Sequence, residues 1–146
     1  MRPSAILETR VIRDRAVVVA ADGELDLSIA AELKARLVAA VMSRADAVIL
    51  DLTDCSFIDS SALNVLVRVN HLLDGNHARL SLVTESPHIL RVLEITQLDL
   101  VLEVHPDLET ALKILAPVFP GAAELAARRP AAERGSRSTS TTRENR

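Results

Sequence analysis

The 146 residues contain no tryptophan and no tyrosine, and only two phenylalanines, Phe57 and Phe119. Such a chain has little with which to stack nucleobases. A single cysteine, Cys55, cannot close an intramolecular disulfide, and no set of residues around it has zinc-ligand spacing. A reducing cytoplasm is therefore the expected compartment, and a small, inert structural thiol is the expected role of Cys55. The four glycines, Gly23, Gly75, Gly121 and Gly135, are isolated, and only two lysines exist, Lys34 and Lys113. No phosphate-cradling loop of the G-x-x-x-x-G-K-[ST] type can be drawn from them, so no bound nucleotide or other cofactor is expected. No apolar run approaches the roughly 18 residues of a membrane span. The opening "MRPSAILETRVIRDRA" mixes acids with its arginines and has no long apolar stretch, which argues against a secretory signal.

Charge is unevenly spread. Residues 1–115 carry 11 Lys and Arg against 17 Asp and Glu, a net of −6, whereas residues 116–146 carry six Arg against three Glu. An acidic body lacks the basic face of a general nucleic-acid binder, so direct DNA binding is not expected. Nearly half the residues are apolar, enough for one core in a chain of this length. The pattern lapses at Ala116: "APVFPGAAELAARRPAAERGSRSTSTTRENR" has three prolines and a Ser/Thr/Arg-rich end. It reads as a disordered basic tail after a domain at 1–115, with room for one marginal helix at 122–129.

Within the domain, "AILETRVI" (Ala5–Ile12) and "AVVVA" (Ala16–Ala20) read as two strands of a hairpin around "RDR". "DGELD" (Asp22–Asp26) reads as a turn before a helix in which Ile29, Leu33, Leu37 and Val41 repeat at helical spacing, with Ser28 as N-cap and Glu32–Arg36 as a surface pair. "AVILDL" (Ala47–Leu52) has the continuous apolar character of a central strand. A loop and a second helix follow, with Ala62, Val65, Leu66, Val69, Leu72 and Leu73 inward and Asp74-Gly75-Asn76 as its stop. "RLSLV" is the next strand. "SPHILRVLEITQ" is a helix with Ser86 as cap and Pro87 at its first position. "LVLEVH" reads as a last strand and "PDLETALKIL" as a last helix, with Leu108, Ala111, Leu112 and Leu115 inward. The order β-β-α-β-α-β-α-β-α predicts an α/β fold with a mixed sheet, mostly parallel towards its end.

The loop "CSFIDSSAL" holds the residues without an obvious packing role. A serine nucleophile needs a histidine oriented by an acid. His71 and His77 flank the far end of the second helix, His88 and His105 lie at element ends, and no G-x-S-x-G elbow is present. An enzyme is not expected. Asp51, Asp54 and Asp59 have no histidine beside them, so turn and capping roles are expected of them rather than metal binding. Two readings of Asp59-Ser60-Ser61 then stand on the residues alone. They are helix-capping residues, a role these types favour, or Ser60 is the target of a partner's chemistry. In the second case Ser60 lies past the carboxyl end of a central strand, where free N–H groups of a helix start can hold an added phosphate.

"GELD" at Gly23–Asp26, "LDLTDCSFIDSSAL" at Leu50–Leu63 and the element order resemble the STAS domain, in particular the bacterial anti-sigma factor antagonists, over roughly 5–115. The family commonly has glycine where this chain has Ala62. The resemblance implies that Ser60 is phosphorylated by a partner anti-sigma factor, a serine kinase. The unphosphorylated protein would bind that factor and free a sigma factor for transcription, and a phosphatase would reverse the modification. It also implies a switch loop of Asp59, Ser61, Glu24 and Asp26. On the second helix Asn64, Val67, Arg68 and His71, off the apolar stripe, are candidate partner contacts. The alternative is a STAS adaptor that works without phosphorylation, in a lipid-transport or stress-sensing complex.

Overall fold

The computed structural model describes residues 4–13, 15–74 and 79–115, with the side chains of 74, 114 and 115 excepted. The proposed tail, the helix within it, Gly75, Asn76 and His77, and the inward placement of Leu115 lie outside the described residues.

Strand β1 (Ala5–Ile12) and strand β2 (Ala16–Leu25) are followed by α1 (Leu27–Met42), β3 (Ala47–Ile58), α2 (Ser60–Asp74), β4 (Arg79–Val83), α3 (Pro87–Ile95), β5 (Glu103–His105) and α4 (Leu108–Leu115). A 3-10 turn at Leu98–Leu100 links α3 to β5. The expected order is therefore present. The sheet runs β1-β2-β3-β4-β5 in space as in sequence. β1 is antiparallel to β2, and every later pair is parallel. Val17, Val19, Ala21, Val48, Leu50, Leu52, Leu80 and Leu82 fill one face, against Ile29, Leu33 and Leu37 of α1, Leu66, Val69 and Leu73 of α2, and Ile89 and Leu93 of α3. The opposite face also buries Val18, Ile49 and Val83 completely. Burial on both sides explains why the central strands read as unbroken apolar runs.

Three boundaries differ from expectation. "DGEL" is not a turn but the end of β2, and "TDCSFI" is not a loop but the end of β3. The two segments pair with each other, Asp22 with Asp54 and Glu24 with Phe57, across register shifts. Pairing across a bulge can extend strands through polar residues whose own propensity points to a turn. "LVLEVH" forms a strand only at Glu103–His105, because Leu98–Leu100 winds into the 3-10 turn behind Gln97 at φ 63. Leu72, expected inward, is 48 % exposed, whereas Leu73 is buried and closes the stripe.

Candidate functional site

Because β2, β3 and β4 are adjacent and parallel, the helices that follow them start in a row along one edge of the sheet. The start of α3 is capped by Ser86 as expected, whereas that of α1 is not. For α1 the cap is Asp26, not Ser28: its Oδ1 accepts from the Ser28 backbone N–H at 3.0 Å and from the Ser28 hydroxyl at 2.6 Å. Ser4 also donates its hydroxyl to Asp26 at 2.7 Å. A carboxylate accepts more strongly than a hydroxyl, so Ser28 becomes the donor.

The start of α2 repeats this arrangement one strand along. Asp59 Oδ1 accepts from Ser61 N–H at 2.9 Å, from the Ser61 hydroxyl at 2.5 Å and from Ala62 N–H at 3.1 Å. The Asp59 N–H is held by Leu25 O at 3.0 Å, which ties the end of β2 to the start of α2. These donors, the Ser61 hydroxyl foremost, keep the Asp59 carboxyl below the usual carboxylate range, against the opposing effect of burial. The Ser28 hydroxyl, with Ser4 second, does the same for Asp26.

The two serines after Asp59 thereby part company. Ser61 is half-buried and its hydroxyl is committed to the cap, whereas Ser60 is exposed and its hydroxyl makes no hydrogen bond among the described residues. Several of the N–H groups at this helix start, expected to be free for a phosphate, already have partners. Asp59 already occupies those of Ser61 and Ala62, and Leu63 N–H bonds to Asp59 O at 3.0 Å. A group added to Ser60 would face outward.

Of the other candidate residues, Glu24 is exposed and pairs in register with Phe57, three residues before Ser60. Asp26 belongs to the neighbouring cap. Asn64, Arg68 and His71 are exposed on α2, whereas Val67 is half-buried and packs on the core. Cys55 is buried and its thiol donates to Phe57 O at 3.2 Å. Burial pushes this thiol up, and the Glu24 carboxylate adds to the effect. Asp51 accepts from the Thr53 N–H and hydroxyl, and with Asp54, Glu8 and Asp22 lines a cleft of about 190 Å³ whose lining does not include Asp59.

One contact was not legible in the sequence. The Phe57 ring, 38 % exposed, stacks on the His88 ring with centroids 5.9 Å apart and planes 16° apart. It joins the end of β3 to the start of α3, and only the side-by-side arrangement of the strands brings the two together.

A family model for the STAS domain matches residues 9–111. Solved structures agree. An anti-sigma factor antagonist from Mycobacterium paratuberculosis superposes with a TM-score of 0.70 at 26 % identity, over 76 % of this chain and 93 % of that one. The anti-sigma factor antagonist SpoIIAA in its unphosphorylated form gives 0.65 at 20 % identity, over 75 % and 96 %. The Bacillus SpoIIAA in its phosphorylated form gives 0.61 at 20 %, over 75 % and 99 %. No curated protein matches the sequence. Among the described residues, no helix is long and apolar enough to cross a membrane.

Proposed function

Since the chain belongs to the STAS domain family, we propose that it is an anti-sigma factor antagonist switched by phosphorylation of Ser60. The observation that carries this reading is the division of labour after Asp59. Ser61 is consumed by the helix cap, while Ser60, one residue away, is exposed with its hydroxyl uncommitted. In the unphosphorylated state the surface around Ser60 binds an anti-sigma factor, which releases its sigma factor to RNA polymerase. The anti-sigma factor is also a serine kinase. Ser60 Oγ attacks the γ-phosphorus of ATP held by that partner, the bond to the β-phosphate oxygen breaks, ADP leaves, and the hydroxyl proton passes to a base of the kinase. A phosphatase hydrolyses the phosphoserine and restores the binding form. This chain acts as substrate and binding module, with no catalysis of its own.

Electrostatics give the switch its direction. The phosphoryl group brings about −1.5 to −2 charges beside the Asp59 carboxylate and near Glu24. The Ser61 and Ala62 N–H groups are taken by Asp59 and cannot also neutralise the added charge, which is left on the face a partner must approach. Binding is expected to weaken on modification through like-charge repulsion and the cost of desolvating the phosphate.

The test is to incubate the protein with labelled ATP and an ATP-dependent anti-sigma factor from the same organism, then measure affinity by calorimetry. Ser60→Ala should bind but take no label, and Ser60→Glu should bind poorly. Label on Ser60→Ala, or undiminished binding by the phosphorylated wild type, would overturn the switch. Binding without any labelling would favour the adaptor reading.

A further inference from the structure

The two edges of the sheet are finished differently. β5 is three residues long and follows a 3-10 turn, a short edge that offers little to pair with. β1, at the other edge, is eight residues long, contains no proline and keeps one register with β2 throughout. Among the described residues, nothing pairs with its outer side. The Glu24 N–H bonds to Ser4 O, one step beyond the Ala5–Gly23 pair. The alternation of an antiparallel ladder then turns the N–H and C=O groups of Ile6, Glu8 and Arg10 towards β2, and those of Leu7, Thr9 and Val11 outward. Ile6 and Val11 are 65 % and 62 % exposed. Glu8 and Arg10 are exposed too, and neither has an ion-pair partner among the described residues. A long edge of this kind is a template for another strand.

We propose that β1 pairs antiparallel with β1 of a second copy of this chain, about a two-fold axis at Thr9, so that the two sheets become one. The occupant follows from the order of charges along the strand, "AILETRVI". About Thr9 it is complementary to itself: Glu8 lies opposite Arg10 of the second copy, Leu7 opposite Val11, and Ile6 opposite Ile12, each contact made twice. Sliding the pairing by two residues sets Glu8 against Glu8 or Arg10 against Arg10, which like-charge repulsion disfavours. Sliding it by one sets side chains of opposite faces against each other, whereas residues opposite one another in a ladder share a face. The Thr9 register alone satisfies both conditions. It supplies about six backbone hydrogen bonds from the outward groups of Leu7, Thr9 and Val11. Beside the axis, the Arg36 guanidinium that donates to Thr9 Oγ1 at 3.0 Å is paired with Glu32 at 3.1 Å, so charge is balanced there too. The axis reverses the strands of one copy relative to the other, so the two Ser60 side chains stand at opposite ends and both stay accessible. The pairing does not depend on Ser60 being modified.

The experiment is sedimentation equilibrium of the full chain over a concentration series, for the wild type, Glu8→Arg, Arg10→Glu and the double exchange of both. Circular dichroism checks that each variant is folded, as expected for substitutions at two exposed positions. The wild type should show a monomer–dimer equilibrium. Either single exchange sets like charges opposite one another twice per dimer and should raise the dissociation constant about ten-fold or more. The double exchange restores opposite charges and should return the constant to within about three-fold of the wild type. A wild type that stays monomeric would overturn the proposal, whether another part of the chain covers the edge or a different protein takes it. A dimer indifferent to both single exchanges would overturn it as well, since the copies would then meet elsewhere. Weakening by the single exchanges without recovery in the double would overturn the Thr9 register and with it the pairing.

Discussion

Gly23 shows how one residue serves a site it does not touch. Its φ is +124°, and a Cβ there would run into the Ser4 carbonyl oxygen and crowd Ala5 Cα. The bare backbone lets the first residues of β1 lie close, so Glu24 N–H reaches Ser4 O at 2.9 Å and the Ser4 hydroxyl reaches Asp26. The glycine of "GELD" is thus required by the packing of β1 on β2 and, through Ser4, by the cap of α1. Gly23→Ala is expected to destabilise the protein by about 1–3 kcal/mol, read as a lower urea midpoint at unchanged slope. An unaltered midpoint would mean that Ser4 can move aside without loss.

At the scale of the element, α1 and α2 begin on the same device, an aspartate whose carboxyl lies below its ordinary value because serine hydroxyls and backbone N–H groups donate to it. A lowered folded-state pKa means that the charged form is favoured by folding. The stabilisation is therefore complete above the ordinary carboxylate value near 3.8 and is lost as pH falls through the lower folded-state values. Both helices should lose their caps over the same acidic window. Melting temperature measured against pH should fall less steeply below about pH 4 in the double variant Asp26→Asn, Asp59→Asn, since asparagine caps a helix without titrating. An acid limb as steep as that of the wild type would place the titrating groups elsewhere. Three elements also lie apart from their sequence signals. β2 and β3 run on through "DGEL" and "TDCSFI", and the segment before β5 winds into a 3-10 turn, because strand pairing and packing override local propensity there.

For the molecule as a whole, α1, α2 and α3 share one core with the sheet, and Leu66 sits in it with no exposed surface. Leu66→Ala is expected to cost about 2–5 kcal/mol and to lower the melting temperature of the whole domain in a single transition. Leu72→Ala, six residues on in the same helix but half-exposed, should cost under about 0.5 kcal/mol. Comparable losses from the two would show that α2 is rotated about its axis from the orientation described. The sequence-level placement of Leu72 inward fails that comparison for a simple reason. With 3.6 residues per turn, Val69 and Leu73 already hold the stripe, and Leu72 lies to one side of it.

Periodicity, capping types and continuous apolar runs were enough to read the α/β class, the order of the nine elements, the Ser86-Pro87 start of α3 and most of the core. Those signals are local, arising from neighbours within a turn or along one strand. The acid and two serines between strand and helix were equally legible, but their roles were not, because capping and presentation use the same residue types. Only the tertiary structure shows which of them make the cap, Asp59 with Ser61, and that the Ser60 side chain is left exposed. It laid β2 beside β3, joined Asp59 N–H to Leu25 O, and left Ser61 donating inward while Ser60 faces out. It also moved the α1 cap from Ser28 to Asp26 and set Phe57 on His88. Each of these depends on groups brought together by strand pairing, which no spacing along the chain encodes directly.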